Sequence, residues 1–533
     1  MRISVVLGAV LLFANACAPD SPVLPPPDAD DAVAELSDAG DAKADVAGGT
    51  DAVPKDVQAE LPGTDAILIA DEFIAPDAPI GVDVSGPPDI TPPPDASVPP
   101  DVADIATTPD VPVVPDVAPD VPPLDIQQPD VQASPDVTAC GTCYAGIQDH
   151  YVKASNSDTG DNFGTSVAIS GTTLVVGAPG EGSKSSGVMG NQADNSAPNA
   201  GAVYVFTQSG GTWGQQAYLK SSWTSAGALF GKAVAISDDT LAAGSPGLGT
   251  GGVQVFVRSG TSWSPQSVTG TIGTNDDKAF GAAVALSGDT LVVGAPMSGK
   301  ASLVQSQSGA AYVLVRSGGK WTQQAALADS NVWQNNQFGQ SVAVDGDTAV
   351  VGSSIIGTSS RALVYTRTAG VWTMQQSISP QTGGGSGSGA KSVGISGDTL
   401  AVFAGGTKGG VFIYTRSGGV WSGQATLNSD VASSGFGASM QLLGDTVLVG
   451  APVDNATAGG SAFLFQRTGT TWSQKLTLVA SNPDWQDYFG SSVAFGAGVI
   501  AVGAQYESSF AKGIDGDQTS NENQGSGAVY LFH

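Results

Sequence analysis

From about residue 148 onward, short apolar runs alternate with breaks rich in Gly, Ser and Asp, and the runs come in sets of four. In residues 163–219 the first run, "SVAIS", alternates small and branched side chains. The second, "TLVVGA", is continuously apolar and leads into Gly-Ala-Pro. The third, "GAVYVF", adds aromatics, and the fourth, "WGQQAYL", begins at a Trp. The first two runs are joined by two-residue hairpin chemistry, as in "SGDT" at 287–290 and 396–399. The tripeptide "SGG" at 209–211, 317–319 and 417–419 serves the same purpose between the third and fourth. Each set therefore predicts an antiparallel four-stranded meander.

The set recurs. "FGTSVAISGTTLVVGAP" at Phe163 is echoed from Phe230, Phe280, Phe338, Phe436 and Phe489, with a worn copy, "GAKSVGISGDTLAVFAG", from Gly389. Seven units at a spacing of roughly 50 residues signal a solenoid, propeller or array. Side-chain bulk grows from Ala, Ser and Val in the first run to aromatics in the third and fourth, as a wedge crowded at its inner edge requires. The expected fold is all-β, a seven-bladed β-propeller. The last unit ends at "GAVYLFH", one run short, whereas "DHYVKASNSDTGDNFG" at 149–164 matches "KLTLVASNPDWQDYFG" at 475–490. Residues 148–154 are thus expected to supply the outer strand of the seventh blade and close the ring, removing its edges.

Composition changes this picture only before residue 140. The chain of 533 residues has a formal net charge of -29, with 49 acidic and 20 basic residues, but 26 of the acids lie in residues 18–139 with most of the prolines. Fragments such as "PDVPVVPDVAPDVPP" lack backbone donors and repel one another, so residues 18–139 read as a disordered acidic linker. Its reach is about 60 Å as a coil and nearly 380 Å as polyproline II. Residues 140–533, the propeller, are near neutral and carry no basic cluster, which argues against nucleic acid as a partner.

Residues 1–17 read as an export signal: Arg2, an apolar run over 3–13, then small residues up to Cys17. The run is shorter than the roughly 20 residues needed to span a bilayer. "FANAC" resembles a bacterial lipobox, which implies lipidation of Cys17 and, with Ala18 beside it, sorting to the outer membrane and the cell surface. "ANA" also suits ordinary signal peptidase, which would release a soluble chain. Cys140 and Cys143, in "CGTC", are the remaining thiols; an exported chain meets an oxidising compartment, and a local disulfide at the linker junction is expected.

Phe-Gly at the head of each unit and Gly-Ala-Pro after its second run resemble the FG-GAP repeats of the integrin α-subunit propeller and its bacterial relatives. The resemblance covers residues 148–533. In the integrin family some blades carry a calcium loop, D-x-D-x-D-G, between the first two strands. Here tight turns stand in that place, with Asp289, Asp347, Asp398 and Asp445 as turn residues. They supply too few oxygens for calcium, so that property is not carried over.

In a four-stranded blade the loops between strands two and three share a face with the loops joining successive blades, and propeller function sits in such loops. Two of the former are long, 180–200 and 505–526, in blades one and seven, which a closed ring makes neighbours; a moderate one spans 297–309. A raised polar rim is expected there. Asp515 and Asp517 are weak metal candidates within "IDGDQTSNENQG", whose spacing fits no EF-hand, so a solvated loop is the expectation. Six tryptophans share one strand position and are architectural. Trp223, Trp333 and Trp485 instead fall in inter-blade loops, where they can stack on sugars, anchor a protein partner or pack between blades.

No nucleophile elbow, metal-ligand cluster or phosphate loop appears, so neither catalytic residues nor a cofactor is assigned. The leading expectation is a monomeric, envelope-tethered, non-enzymatic module that binds a protein or glycan through this face. The alternatives are a polysaccharide-acting enzyme using a carboxylate pair such as Asp484 with Asp487, or a display module with no specific ligand.

Overall fold

The computed structural model describes residues 144–269, 278–299, 308–329, 336–354, 360–380, 391–405, 410–429, 435–453 and 459–533. Seven antiparallel sheets follow one another. Blade one orders Ser166–Ser170, Thr173–Ala178, Ala202–Ser209 and Thr212–Lys220 from its inner to its outer strand, and blades two to six repeat that order. Blade seven takes three strands from the end of the chain, Phe489–Gly496, Val499–Ala504 and Ala528–Phe532. Its outer strand, Gln148–Val152, comes from the beginning. Tyr151 pairs with Tyr530 and Val152 with Val529, so the predicted closure is met.

Two short strands escaped the four-run pattern. Gly187–Val188 folds back onto Leu219 and Lys220 at the rim of blade one, and Val268–Thr269 runs parallel to the outer strand of blade three. Two-residue strands are too short to leave a periodic signal.

The core lies between blades. Seven apolar clusters each draw on two adjacent sheets, the last joining blade seven to blade one. Both faces of every blade are therefore covered, which is why the second strands, such as Thr173–Ala178 and Thr290–Ala295, are buried along their whole length.

The structure also gives the Phe-Gly and Gly-Ala-Pro motifs a physical cause. The Gly of Phe-Gly in one blade lies against the Gly of Gly-Ala-Pro in the blade before it, backbone on backbone. A Cβ on Gly177 would stand 1.9 Å from the Gly231 carbonyl oxygen, and one on Gly503 would stand 2.2 Å from that of Gly164. The second contact is the ring closing on itself. The Phe ring fills the adjacent inter-blade core; Phe163, Phe230, Phe338 and Phe489 are fully buried.

On the opposite edge, the architectural tryptophans latch neighbouring blades. Trp263, Trp321, Trp372 and Trp472 donate their indole N–H to Gln216, Gln266, Gln324 and Gln424 of the preceding blade at 2.7–2.9 Å. An arginine lies over each of these indoles, 5.1–5.3 Å from the ring, and is paired to the turn aspartate of its own blade. Asp289, Asp347 and Asp445 therefore anchor this belt.

Candidate functional site

The long loops of blades one and seven are built on one frame. Glu181 Oε2 lies 2.6 Å from Lys220 Nζ, and Glu507 Oε2 lies 2.7 Å from Lys153 Nζ; both pairs are buried. The second oxygen of each glutamate accepts from a backbone N–H, that of Ser183 or Ser509, and from an amide side chain, Asn156 or Asn482. Each asparagine in turn accepts from a buried tyrosine, Tyr204 or Tyr530. Burial holds both lysines below their usual range, with the glutamate partner opposing it. Taking such a pair out of water is costly, and its hydrogen bonds offset much of that cost. In this frame the geometry ties each loop to an outer strand, so the loops are held rigidly.

A second carboxylate level lies toward solvent. Asp161 and Asp487 accept from the backbone N–H of Asp158 and Asp484 at 2.9 and 3.0 Å. Burial pushes both up to about 7, against that hydrogen bond and with help from Glu181 or Glu507. Asp158 and Asp484 are themselves held by Asn195 and Asn521.

The two copies part company in one respect. In blade seven a cavity of about 530 Å³ opens, walled by Trp485, Tyr488 and Tyr506 and floored by Asp484, Asp487 and Asn521, with Gln486 and Gln524 at its side. Trp485 is 71% exposed, and the two tyrosine rings meet edge to face at 5.3 Å. The corresponding positions of blade one are Thr159, Asn162 and Gly180, so the frame stands without the rings. Gln486 also adopts φ 71, where Gly160 and Gly227 occupy the same place in blades one and two with φ 81 and 75. A side chain there costs roughly 1–2 kcal/mol. Aromatic faces beside amide and carboxylate groups suit a ring that has apolar C–H faces and equatorial hydroxyls.

The other candidates are placed differently. Trp223 is 51% exposed and stands over a smaller apolar cleft of about 270 Å³ with Leu248, Val253 and Phe280, away from the blade-seven cavity. Trp333, Cys17, Cys140 and Cys143, like the signal and linker segments, lie outside the described residues. Asp515 fastens the closing strand, accepting from the Tyr151 N–H at 3.0 Å and facing His150 Nδ1 at 2.8 Å. Asp517 accepts from the N–H and hydroxyl of Thr519. Among the described residues no group of three or more His, Cys, Asp and Glu is gathered as a metal site. The expected rim exists as one continuous layer: the connection after the closing strand touches the blade-one loop through Asn156 and the blade-seven loop through Thr159 and Asn162.

Sequence reasoning selects Trp485 but not Tyr488, Tyr506 or the buried Glu–Lys pairs. The available signal was the matched spacing of Asn156, Asp158, Asp161, Glu181 and Asn195 with Asn482, Asp484, Asp487, Glu507 and Asn521.

Residues 148–206, 273–314, 321–362 and 472–532 match the FG-GAP repeat family. With seven blades closed by an early strand, the chain is an FG-GAP repeat β-propeller. No curated protein matches it. Among solved structures, a Bacteroides uniformis protein named as a putative 6-phosphogluconolactonase is similar at a TM-score of 0.39 and 10% identity, covering 60% of this chain and 86% of that one.

Proposed function

We propose that this propeller is a non-enzymatic binding module that takes a glycan in the blade-seven cavity. One observation carries the reading: the aromatic wall is present in only one of two loops built on the same frame, so the rings serve something other than the fold. Rigid loops fixed by buried ion pairs keep the wall preorganised, which lowers the ordering cost of binding. Asp484 and Asp487, adjacent carboxyls of which burial pushes Asp487 up to about 7, have the form of a hydrolytic pair. The same pair recurs as Asp158 and Asp161 beside no aromatic wall, which favours a framework role and the binding reading.

A glycan array probed with the propeller tests this. Trp485→Ala and Tyr506→Ala are expected to weaken the bound glycan's affinity at least about tenfold, a loss of ~1.4 kcal/mol or more. Thr212→Ala, at the exposed start of the outer strand of blade one and on the opposite edge, leaves it unchanged. Unaltered binding in both aromatic variants rejects the site.

The same reading places the module on the cell envelope, tethered through a lipid on Cys17 and carried on the acidic linker. Full-length protein is expected to enter the detergent phase on partition and Cys17→Ser to stay in the aqueous phase. An aqueous wild type would remove the tether.

A further inference from the structure

The axial channel holds a second concavity, independent of the aromatic cavity. Its mouth, about 270 Å³, is ringed by the residues that open the seven inner strands, among them Thr165, Lys232, Gln340, Lys391 and Ser491. These strands begin where the inter-blade loops end, so the mouth opens on the loop-bearing face. Two of the seven positions are lysines, in blades two and five, three steps apart around the ring. None of the residues lining the mouth is acidic.

These two lysines stand apart from the cations that are tied into the framework. All six arginines among the described residues sit in ion pairs, as do the buried Lys153 and Lys220. Residues 140–533 contain more acids than bases. Lys232 and Lys391, like several exposed lysines such as Lys320 and Lys475, form no ion pair among the described residues; what sets these two apart is that both line the same concavity. Crowding by the ring walls holds the Lys232 ammonium below the usual lysine range through loss of hydration, with no carboxylate opposing it.

Directly beneath, Val167, Val234, Val284, Val342, Val393 and Val493 form an apolar collar. Apolar walls strengthen the field of the two ammonium groups at the mouth and offer a bound ion no polar route onward. The hydroxyls nearby are committed elsewhere: Ser166, Ser392, Ser439 and Ser492 donate to the Phe-Gly glycine carbonyls of adjacent blades, those of Gly231, Gly437, Gly490 and Gly164. The lysines are therefore the donors left for a ligand.

We propose that the axial mouth binds a single oxyanion group, a carboxylate, sulfate or phosphate, held between Lys232 and Lys391. The group arrives either as a free ion or as the acidic substituent of a larger molecule.

Calorimetric titration of the folded protein with sodium sulfate, sodium phosphate, an oligogalacturonate and its methyl ester tests this. Saturable binding of at least one acidic probe is expected, weakened about tenfold by Lys232→Met or Lys391→Met and abolished in the double variant. The heat should also shrink as salt is added. Lys320→Met, at the far end of an outer strand, leaves binding intact, as does Trp485→Ala, which separates this site from the aromatic cavity. Binding of the inorganic ions identifies a free-ion site; binding of the oligogalacturonate but not its ester identifies the acidic substituent. Because neither lysine is tied into an ion pair of the fold, the variants should melt like wild type, and sulfate or phosphate, whichever binds, should raise the melting temperature of wild type alone. No saturable binding by any acidic probe, or undiminished binding in the double variant, overturns the proposal.

Discussion

A carboxyl group buried beside another carboxylate is a poor place for charge, as Asp161 illustrates. Its folded-state value of about 7 stands above the ordinary aspartate value near 3.9 expected when unfolded. The native state therefore binds the proton more tightly than the unfolded chain. Its contribution to stability is complete below about pH 4 and is lost as pH rises through 7. Asp487 acts in the same direction. Asp161→Asn keeps an oxygen for the Asp158 N–H and removes the ionisation. The variant should flatten the decline in unfolding free energy, read from urea titrations, between pH 4 and 7, by up to ~1.4 kcal/mol for each unit of pKa difference. At neutral pH it should be at least as stable as wild type. An identical pH slope in the two proteins would show that Asp161 ionises without penalty.

At the scale of strands and loops, the range of each interaction decides whether the sequence reveals or conceals it. Hairpin turns and apolar runs are local, so the strands Ser166–Ser170 and Thr173–Ala178 were legible to the residue. The belt of tryptophans was visible as a repeated position, but its partner glutamines were not, because each lies in the preceding blade with no turn chemistry linking them. The aromatic cavity was hidden for the same reason. Trp485 and Tyr488 belong to the connection between blades six and seven, whereas Tyr506 opens the loop inside blade seven. The left-handed backbone of Gln486 leaves no signature in residue type; only alignment with Gly160 and Gly227 exposes it. Blade five shows the converse. There Phe403 takes the place of the close-packed glycine, and Gly437 of the next blade accommodates it; a Cβ at 437 would come within 2.0 Å of the Phe403 ring. The worn repeat thus kept its packing by moving bulk across the seam.

At the scale of the whole ring, everything on the loop face depends on a seam between the two ends of the propeller. The segment at 144–153 contributes a full outer strand, with Tyr151 and Val152 buried and the Tyr151 ring edge-on to Tyr530 at 5.3 Å. The N–H groups of Ala145 and Gly146 both donate to the His533 carbonyl at 2.8 Å. His533 Nδ1 meets Asp149 at 2.6 Å, and Lys153 supplies the cation of the blade-seven frame. A chain beginning at residue 144 retains all of these contacts and is expected to melt with the full-length protein. A chain beginning at 154 loses them: Ala528–Phe532 becomes an exposed edge, Glu507 is left buried without its lysine, and the apolar cluster around Tyr530 opens to water. Removing one partner of a buried pair alone costs roughly 3–5 kcal/mol, and burial of Tyr151 and Val152 adds several more. The shorter chain should therefore melt at markedly lower temperature and self-associate through the open edge. A synthetic peptide spanning 144–153 should restore the monomer by strand addition. If the shorter chain is monomeric and equally stable without the peptide, three strands suffice for blade seven, and the seam does not hold the ring or the cavity built upon it.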